Sequence, residues 1–369
     1  MKIARFTSIA AFGAVTALAL AGCAANEAPA GGESGAPEET ASTLSGTINA
    51  TGASSQGSAQ EAWVAAFQTA NPDVTVNYEP TGSGTGRENF IAGASDFIGS
   101  DRAFDDEEVA AGGFGACATD DIVELPLYIA PVAVAYNLEG VDSLNLDAAT
   151  IAGMFAGKIT NWNDPAIAAL NEGVELPDLA ITPVHRSDDS GTTETFTTYL
   201  EATAPDVWEW EADGVWPIEG GEAAQGTSGV VAAAKAGNGA IVYADASQID
   251  TLTAAKVEVG GEFIEYSPEA AAALVESSPL VEGRGAADLV FDVDPAAAAD
   301  GAYPIALVSY LIACEQYEDT EKAGLVKAYF EFMASEEGQQ VAAEAAGAAP
   351  ISEGLREQAL AAIDMIQVG

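Results

Sequence analysis

Three times along this chain a β-type run gives way to a turn of serine, threonine and glycine, and a helical run begins straight after it. The turns are Thr51-Gly52-Ala53-Ser54-Ser55-Gln56-Gly57-Ser58, Thr81-Gly82-Ser83-Gly84-Thr85-Gly86 and Asp189-Ser190-Gly191-Thr192-Thr193. Strands alternating with helices stack as α/β layers, and such layers hold anions at strand C-terminal ends and helix N-termini. Each turn offers hydroxyl donors, backbone N–H groups with no intrahelical partner and the positive end of a helix dipole. Taken singly, each is more simply an N-cap, and Ser58-Ala59-Gln60-Glu61 has the form of a capping box. The second turn is no Walker loop, because no lysine follows its last glycine.

The third turn carries the decisive charge. Arg186 stands just before it, in a chain whose formal net charge is -45. Two acids sharpen the picture. Asp101 follows a probable strand in Asp96-Phe97-Ile98-Gly99-Ser100-Asp101, and Asp188 lies two residues beyond Arg186. A carboxylate beside an anion suits a ligand that brings a proton, as monohydrogen phosphate does. Fully ionised sulfate has no proton to give and would leave the carboxylate unpaired. Asp188 could instead brace the Arg186 guanidinium; as plain surface acids, both would be two among 57.

Residues 1–22 read as a secretory leader: Lys2 and Arg5, then the apolar run Phe6–Leu20, then Leu20-Ala21-Gly22-Cys23, a lipoprotein cleavage pattern. In that reading Cys23 becomes an acylated N-terminus carrying palmitate, and more than one acyl chain is needed for lasting attachment. No later apolar run is long enough to span a bilayer. Residues 23–43, rich in Ala, Gly, Pro, Ser and Glu, read as a flexible acidic linker. Roughly 325 residues then remain, enough for two domains. Loss of Lys2 and Arg5 with the leader takes the charge from -45 to -47. That argues against nucleic acid and anionic headgroups as partners, but screening over roughly 8 Å leaves room for a local anion site. Cys117 and Cys314 remain after Cys23; in an exported protein they favour one disulfide over two buried thiols. His185 is the sole histidine and no CxxC pair occurs, so no metal site or cofactor is expected.

The coarse pattern supports the layers. Strands are expected at Leu44–Ile48, Val74–Tyr78, Ile181–His185, Ala240–Ala244 and Tyr303–Ala313. Helices are expected at Ala59–Ala70, from Gly86–Arg87, at Asp147–Phe155, Pro165–Leu170, from Thr192, and at Ser228–Ala236, Pro268–Glu276 and Asp319–Ala334. Ile122–Tyr136 is β-rich but contains Pro126 and Pro131, which predicts a bend or a crossing between domains.

These motifs in this order resemble the substrate-binding lipoproteins of high-affinity phosphate ABC transporters. The resemblance runs from about Ser45 to the C-terminus. It is carried by Gly52-Ala53-Ser54 with Trp63, Gly82-Ser83-Gly84, Gly99-Ser100-Asp101, Gly157–Pro165 (GKITNWNDP), Arg186–Thr192 and Gly239–Tyr243. It implies a two-lobed, type II-like periplasmic-binding-protein fold, each lobe a sheet flanked by helices, closing at a hinge on inorganic phosphate. One lobe would take residues 44–128 and 304–369, the other 129–303. Cys117 and Cys314 would then share a lobe, which favours their bond.

Carried over by position, Ser54, Ser83, Ser190 and Thr192 would donate hydroxyls to phosphate. Ser55, Gly191 and Thr192 would donate backbone N–H groups, Arg186 would neutralise charge, Asp101 would accept the ligand proton and Asp188 would brace Arg186. Asn161–Pro165 and His185 are read as structural. Related proteins often have Thr-Phe-Pro where this chain has Ser54-Ser55-Gln56, a change expected to matter little if only the backbone of Ser55 meets ligand. The implied protein is a monomeric, non-catalytic receptor, tethered by lipid to the outer face of the cytoplasmic membrane and docking on membrane permease subunits. The alternatives are an exported phosphate-ester hydrolase using Ser190 or Ser54, a receptor for another oxyanion such as sulfate or molybdate, and a phosphate sensor.

Overall fold

The structure, a computed structural model, describes residues 43–299 and 301–368. The leader over 1–22, the lipidation residue Cys23 and all but the last residue of the linker lie outside the described residues. Strand and helix alternate first as β1 (Gly46–Gly52), α1 (Gly57–Ala70), β2 (Val74–Glu79), α2 (Ser83–Ile91), β3 (Phe97–Ser100) and α3 (Asp106–Ala111). The long β4 (Ile122–Asn137) leads into β5 (Asn145–Leu146), α4 (Ala148–Phe155), α5 (Pro165–Leu170), β6 (Thr182–Arg186) and α6 (Gly191–Thr203). Next come β7 (Glu222–Ala224), α7 (Gly226–Ala236), β8 (Ala240–Asp245), β9 (Thr253–Ala254), β10 (Lys256–Val259), β11 (Glu262–Ile264) and α8 (Pro268–Ser277). The chain ends with β12 (Ala306–Cys314), α9 (Thr320–Ala334), α10 (Glu336–Ala346) and α11 (Glu353–Ile363).

Local chemistry sets many helix starts. Asp147, Ser190, Ser267, Asp319, Ser335 and Ser352 each accept a backbone N–H in the first turn of the helix they precede, satisfying a donor that has no intrahelical partner. Asp105 and Glu108 form a full capping box on α3. The second-turn helix starts at Ser83, three residues before the glycine where the sequence places it.

The strands form one path, β2-β1-β3-β12-β4-β8-β6-β7, with β9 on β4 and a separate β11-β10-β5 sheet. In the first half β1 is parallel to β2 and β3, whereas β12 is antiparallel to β3 and β4. In the second half β6 is parallel to β7 and β8. β4 joins the halves: its residues 122–131 pair with β12, and its residues 132–137 pair with β8. All of β4 except Asn137 is buried, so the strand shows no polar alternation.

The prolines do not break β4, because each sits where the ladder can spare a donor. Pro126 falls within the register shift opposite Ser309–Leu311, and Pro131 forms the last pair with β12 before β8 takes over. Cys117 and Cys314 are joined by a disulfide that closes a sequence separation of 197 residues. Among the described residues no helix is long and apolar enough to cross a membrane.

Candidate functional site

Glycine brings the backbones of the turns together. Gly52 ends β1 at φ +140, and a Cβ there would stand 2.0 Å from the carbonyl oxygen of Gly99 on β3, so only glycine fits. Gly82 N–H then donates to Gly52 O at 2.9 Å, which ties the second turn to the first. Gly191 does the same for the third turn: a Cβ there would lie 2.5 Å from Cβ of Asp101.

Asp101 is the point where the elements meet. Its Oδ1 accepts from the hydroxyls of Ser55 and Ser309, each at 2.6 Å, and its Oδ2 accepts from Thr192 Oγ1 at 2.7 Å. Its own N–H donates to Ser83 Oγ at 3.1 Å. Three turns and β12 thus converge on one carboxylate that is 6% exposed. The first turn also reaches the other half of the fold. Ser54 Oγ accepts from Thr227 N–H at 3.0 Å and lies 3.0 Å from Thr227 Oγ1, while Gln248 Nε2 donates to Ser54 O at 2.8 Å.

Arg186 ends β6 and is 3% exposed. Its Nε donates to Asp188 Oδ1 at 2.8 Å and its Nη2 to Asp188 Oδ2 at 2.5 Å, a two-pronged charged pair that fixes the guanidinium plane. Asp188 Oδ1 also accepts from Gly226 N–H at 3.2 Å. The pair lies against the second turn, since a Cβ on Gly82 would be 2.6 Å from Asp188 Oδ2 and 3.5 Å from Arg186 Nη2.

The hydroxyls divide into two sets. Ser54, Ser83 and Ser190 each accept a backbone N–H, from Thr227, Asp101 and Thr193 respectively. Ser83 and Ser190 keep their own protons for a ligand, while Ser54 shares a hydroxyl–hydroxyl contact with Thr227 in which either can donate. Ser55 and Thr192 spend theirs on Asp101, leaving their backbone N–H groups as donors. Gly191 and Thr192 open α6 and Ser83 opens α2, so these N–H groups have no intrahelical acceptor. The cluster can therefore wrap a small anion in neutral donors, one guanidinium and one carboxylate.

Several participants were not picked out from sequence. Arg87 is buried in α2, donates to Ser100 Oγ at 3.0 Å and pairs with Asp189 at 3.1 Å, linking the two halves; burial lowers its pKa. The signal was a scarce cation beside a glycine-rich turn. Ser309 was detectable as a lone hydroxyl in an apolar strand, which needs a partner when buried. Thr227 and Gln248 carried no local signal. Ser55 acts through its hydroxyl as well as lying at the expected place. His185 stacks on Trp216 at 5.0 Å, and its ring nitrogens each face a backbone carbonyl, of Arg186 and Gly220, at 2.9 Å.

Two further features adjoin the cluster. A cavity of about 540 Å³ shares Asp101, Asp189 and Gly191 with it, and Arg102, Glu194, Arg284 and Tyr310 lie along its wall. At the end of β8, Asp245 accepts from Tyr128 Oη at 2.9 Å and from the N–H and hydroxyl of Ser247 at 2.9 and 2.5 Å. Burial pushes its pKa up to about 7, with the charge of Asp101 adding to the rise and these hydrogen bonds opposing it. Among the described residues no group of His, Cys, Asp or Glu could hold a metal ion.

Residues 37–337 match the model of the PBP superfamily domain. Phosphate-binding protein PstS3 of Mycobacterium bovis (strain BCG / Pasteur 1173P2) is 36% identical over 340 residues, covering 90% of this chain and 91% of that protein. The chain belongs to the family of phosphate-binding substrate-binding proteins. Phosphate-binding protein PstS of Pasteurella multocida (strain Pm70) is 31% identical over 312 residues, covering 82% of this chain and 86% of that protein. Among solved structures, a high-affinity periplasmic phosphate-binding protein (PfluDING) bound with phosphate matches with a TM-score of 0.69 at 20% identity, covering 86% of this chain and 93% of that one. The fold is accordingly the two-lobed periplasmic-binding-protein fold expected from the sequence, with the long β4 running through both halves of the sheet.

Proposed function

We propose that this protein is an extracytoplasmic receptor that binds inorganic phosphate between two lobes and delivers it to the permease of an ABC transporter. The observation that carries this reading is Asp101. A carboxylate has about four acceptor positions, and three hydroxyls already occupy three of them. One position is left on Oδ2, in a site otherwise built of donors and Arg186. That arrangement asks for an anion carrying one proton, and phosphate is the ligand named for the relatives.

In this reading Ser54, Ser83 and Ser190 give hydroxyl protons, Ser55, Gly191 and Thr192 give backbone N–H groups, and Arg186, braced by Asp188, offsets the ligand charge. The lobes are residues 44–128 with 304–369, and 129–303. The change of partner along β4 supports a crossing in that region. Cys23 anchors the mature chain to the outer face of the cytoplasmic membrane, the linker gives it reach, and the receptor works as a monomer without catalysis.

The hydrolase alternative needs a base for Ser190 or Ser54. His185 is poorly suited, since both ring nitrogens are directed at backbone carbonyls. Equilibrium dialysis of the mature protein with labelled phosphate, with sulfate as competitor, tests the receptor reading. Retention of phosphate in excess sulfate is expected, together with no turnover of a chromogenic phosphate ester. Equal displacement by sulfate, or ester turnover lost in Ser190→Ala, would overturn it.

A further inference from the structure

Behind Asp101 runs a line of fully buried polar side chains that the anion site itself does not require. Tyr329 Oη donates to Gln60 Oε1 at 3.1 Å, and Gln60 Nε2 donates to Gln56 Oε1 at 2.8 Å. Gln56 Nε2 donates to Ser309 Oγ at 2.7 Å and to the carbonyl of Tyr310 at 3.3 Å, and Ser309 donates to Asp101 Oδ1 at 2.6 Å. None of Tyr329, Gln60, Gln56 and Ser309 is more than 1% exposed.

The direction of this line is fixed by chemistry at both ends. A carbonyl can only accept, so the Gln56 atom facing Tyr310 must be nitrogen. Its oxygen then faces Gln60, which must donate, and the Gln60 oxygen takes the Tyr329 proton. Because Ser309 accepts from Gln56, its single proton is committed to Asp101. With Ser55 on the same oxygen, Oδ1 is saturated, and the only open acceptor position is on Oδ2 beside Thr192.

We propose that Gln56 and Ser309 are specificity-determining positioning residues, which act through Asp101 to select a protonated oxyanion. Held by three hydroxyl donors, Asp101 serves as an acceptor only, so it rewards a ligand with a proton and repels one without. With the Ser309 donor removed, an acceptor position opens on Oδ1 and the carboxylate loses a contact that fixes its orientation, so the single open position on Oδ2 is no longer defined. The proposal rests on the phosphate-receptor reading and adds to it a second layer of side chains drawn from α1 and β12.

The test measures phosphate and sulfate dissociation constants for the mature parent, Ser309→Ala, Gln56→Met and Ser309→Thr, with circular dichroism melting of each. Phosphate selectivity over sulfate is expected to fall by about tenfold in Ser309→Ala, the weight of one hydrogen bond to a charged group, and to fall in the same direction in Gln56→Met. Ser309→Thr, which keeps the hydroxyl, should retain it. Unchanged selectivity in the folded Ser309→Ala or Gln56→Met protein overturns the proposal, even if both anions bind more weakly. Should Ser309→Ala fail to fold, Gln56→Met alone decides. A parent that does not bind phosphate would instead overturn the receptor reading itself.

Discussion

Arg186 is buried and gives two of its donors to the partly buried Asp188, so its removal leaves that carboxylate without its charged partner. Arg186→Ala is therefore expected to weaken phosphate binding roughly a hundredfold or more, since truncating one member of a buried charge pair costs about 2–5 kcal/mol. Titration calorimetry of the variant against the parent checks this, and an affinity within a few-fold of the parent would remove Arg186 from the site. At this scale the sequence was legible where the chemistry was local. Arg186, Asp188 and the Ser190–Thr192 turn lie within seven residues, and Asp101 stood out as an acid at the end of a strand. Ser309 is 208 residues from its partner Asp101, and Thr227 is 173 from Ser54. Only the fold makes such pairs: the sequence can mark Ser309 as a hydroxyl that needs a partner, but not which partner, and Thr227 carries no mark at all.

Among the elements, β4 and β8 meet at the change of ladder, and Asp245 at the end of β8 is held there between Tyr128 and Ser247. Its folded pKa is raised from 3.8 to about 7 by burial. The folded state therefore binds more protons than the unfolded one between those values, and stability is full below about 4 and declines as pH rises toward 7. Melting temperature is expected to fall across that window, and the fall should be shallower in Asp245→Asn. Identical profiles for parent and variant would contradict the assignment. The groups facing Asp245 are Tyr128, Ser247 and, at longer range, Asp101. Most elements were readable from periodicity and caps, such as α5, where Asp164 caps and Pro165 follows. The continuous β4 was not, because proline argues locally against a strand, and the register shift that excuses Pro126 is a property of the pair. The helices α10 and α11 were also missed. Their buried faces are mostly small alanines, such as Ala342, Ala346, Ala359 and Ala362, which give a weak periodic signal.

For the whole molecule, the formal net charge of -45 is compatible with the proposed anion site because such a site would shield its ligand with oriented donors rather than with net positive charge. The first half of the sheet reaches the second through Ser54–Thr227, Arg87–Asp189 and Asp101–Thr192, so the halves are held together around the cluster. The Cys117–Cys314 bond fastens the loop before β4 to the end of β12. Its reduction is expected to lower unfolding stability by about 2–5 kcal/mol, read by denaturant titration with and without reductant; equal midpoints would show that the bond contributes little. The central claim is that this chain closes on one protonated oxyanion. Titration calorimetry of the mature, tag-free protein tests it most directly: one phosphate should bind per chain, and sulfate at the same concentration should give no saturable heat. Absence of phosphate binding, or sulfate binding of equal strength, would contradict the account.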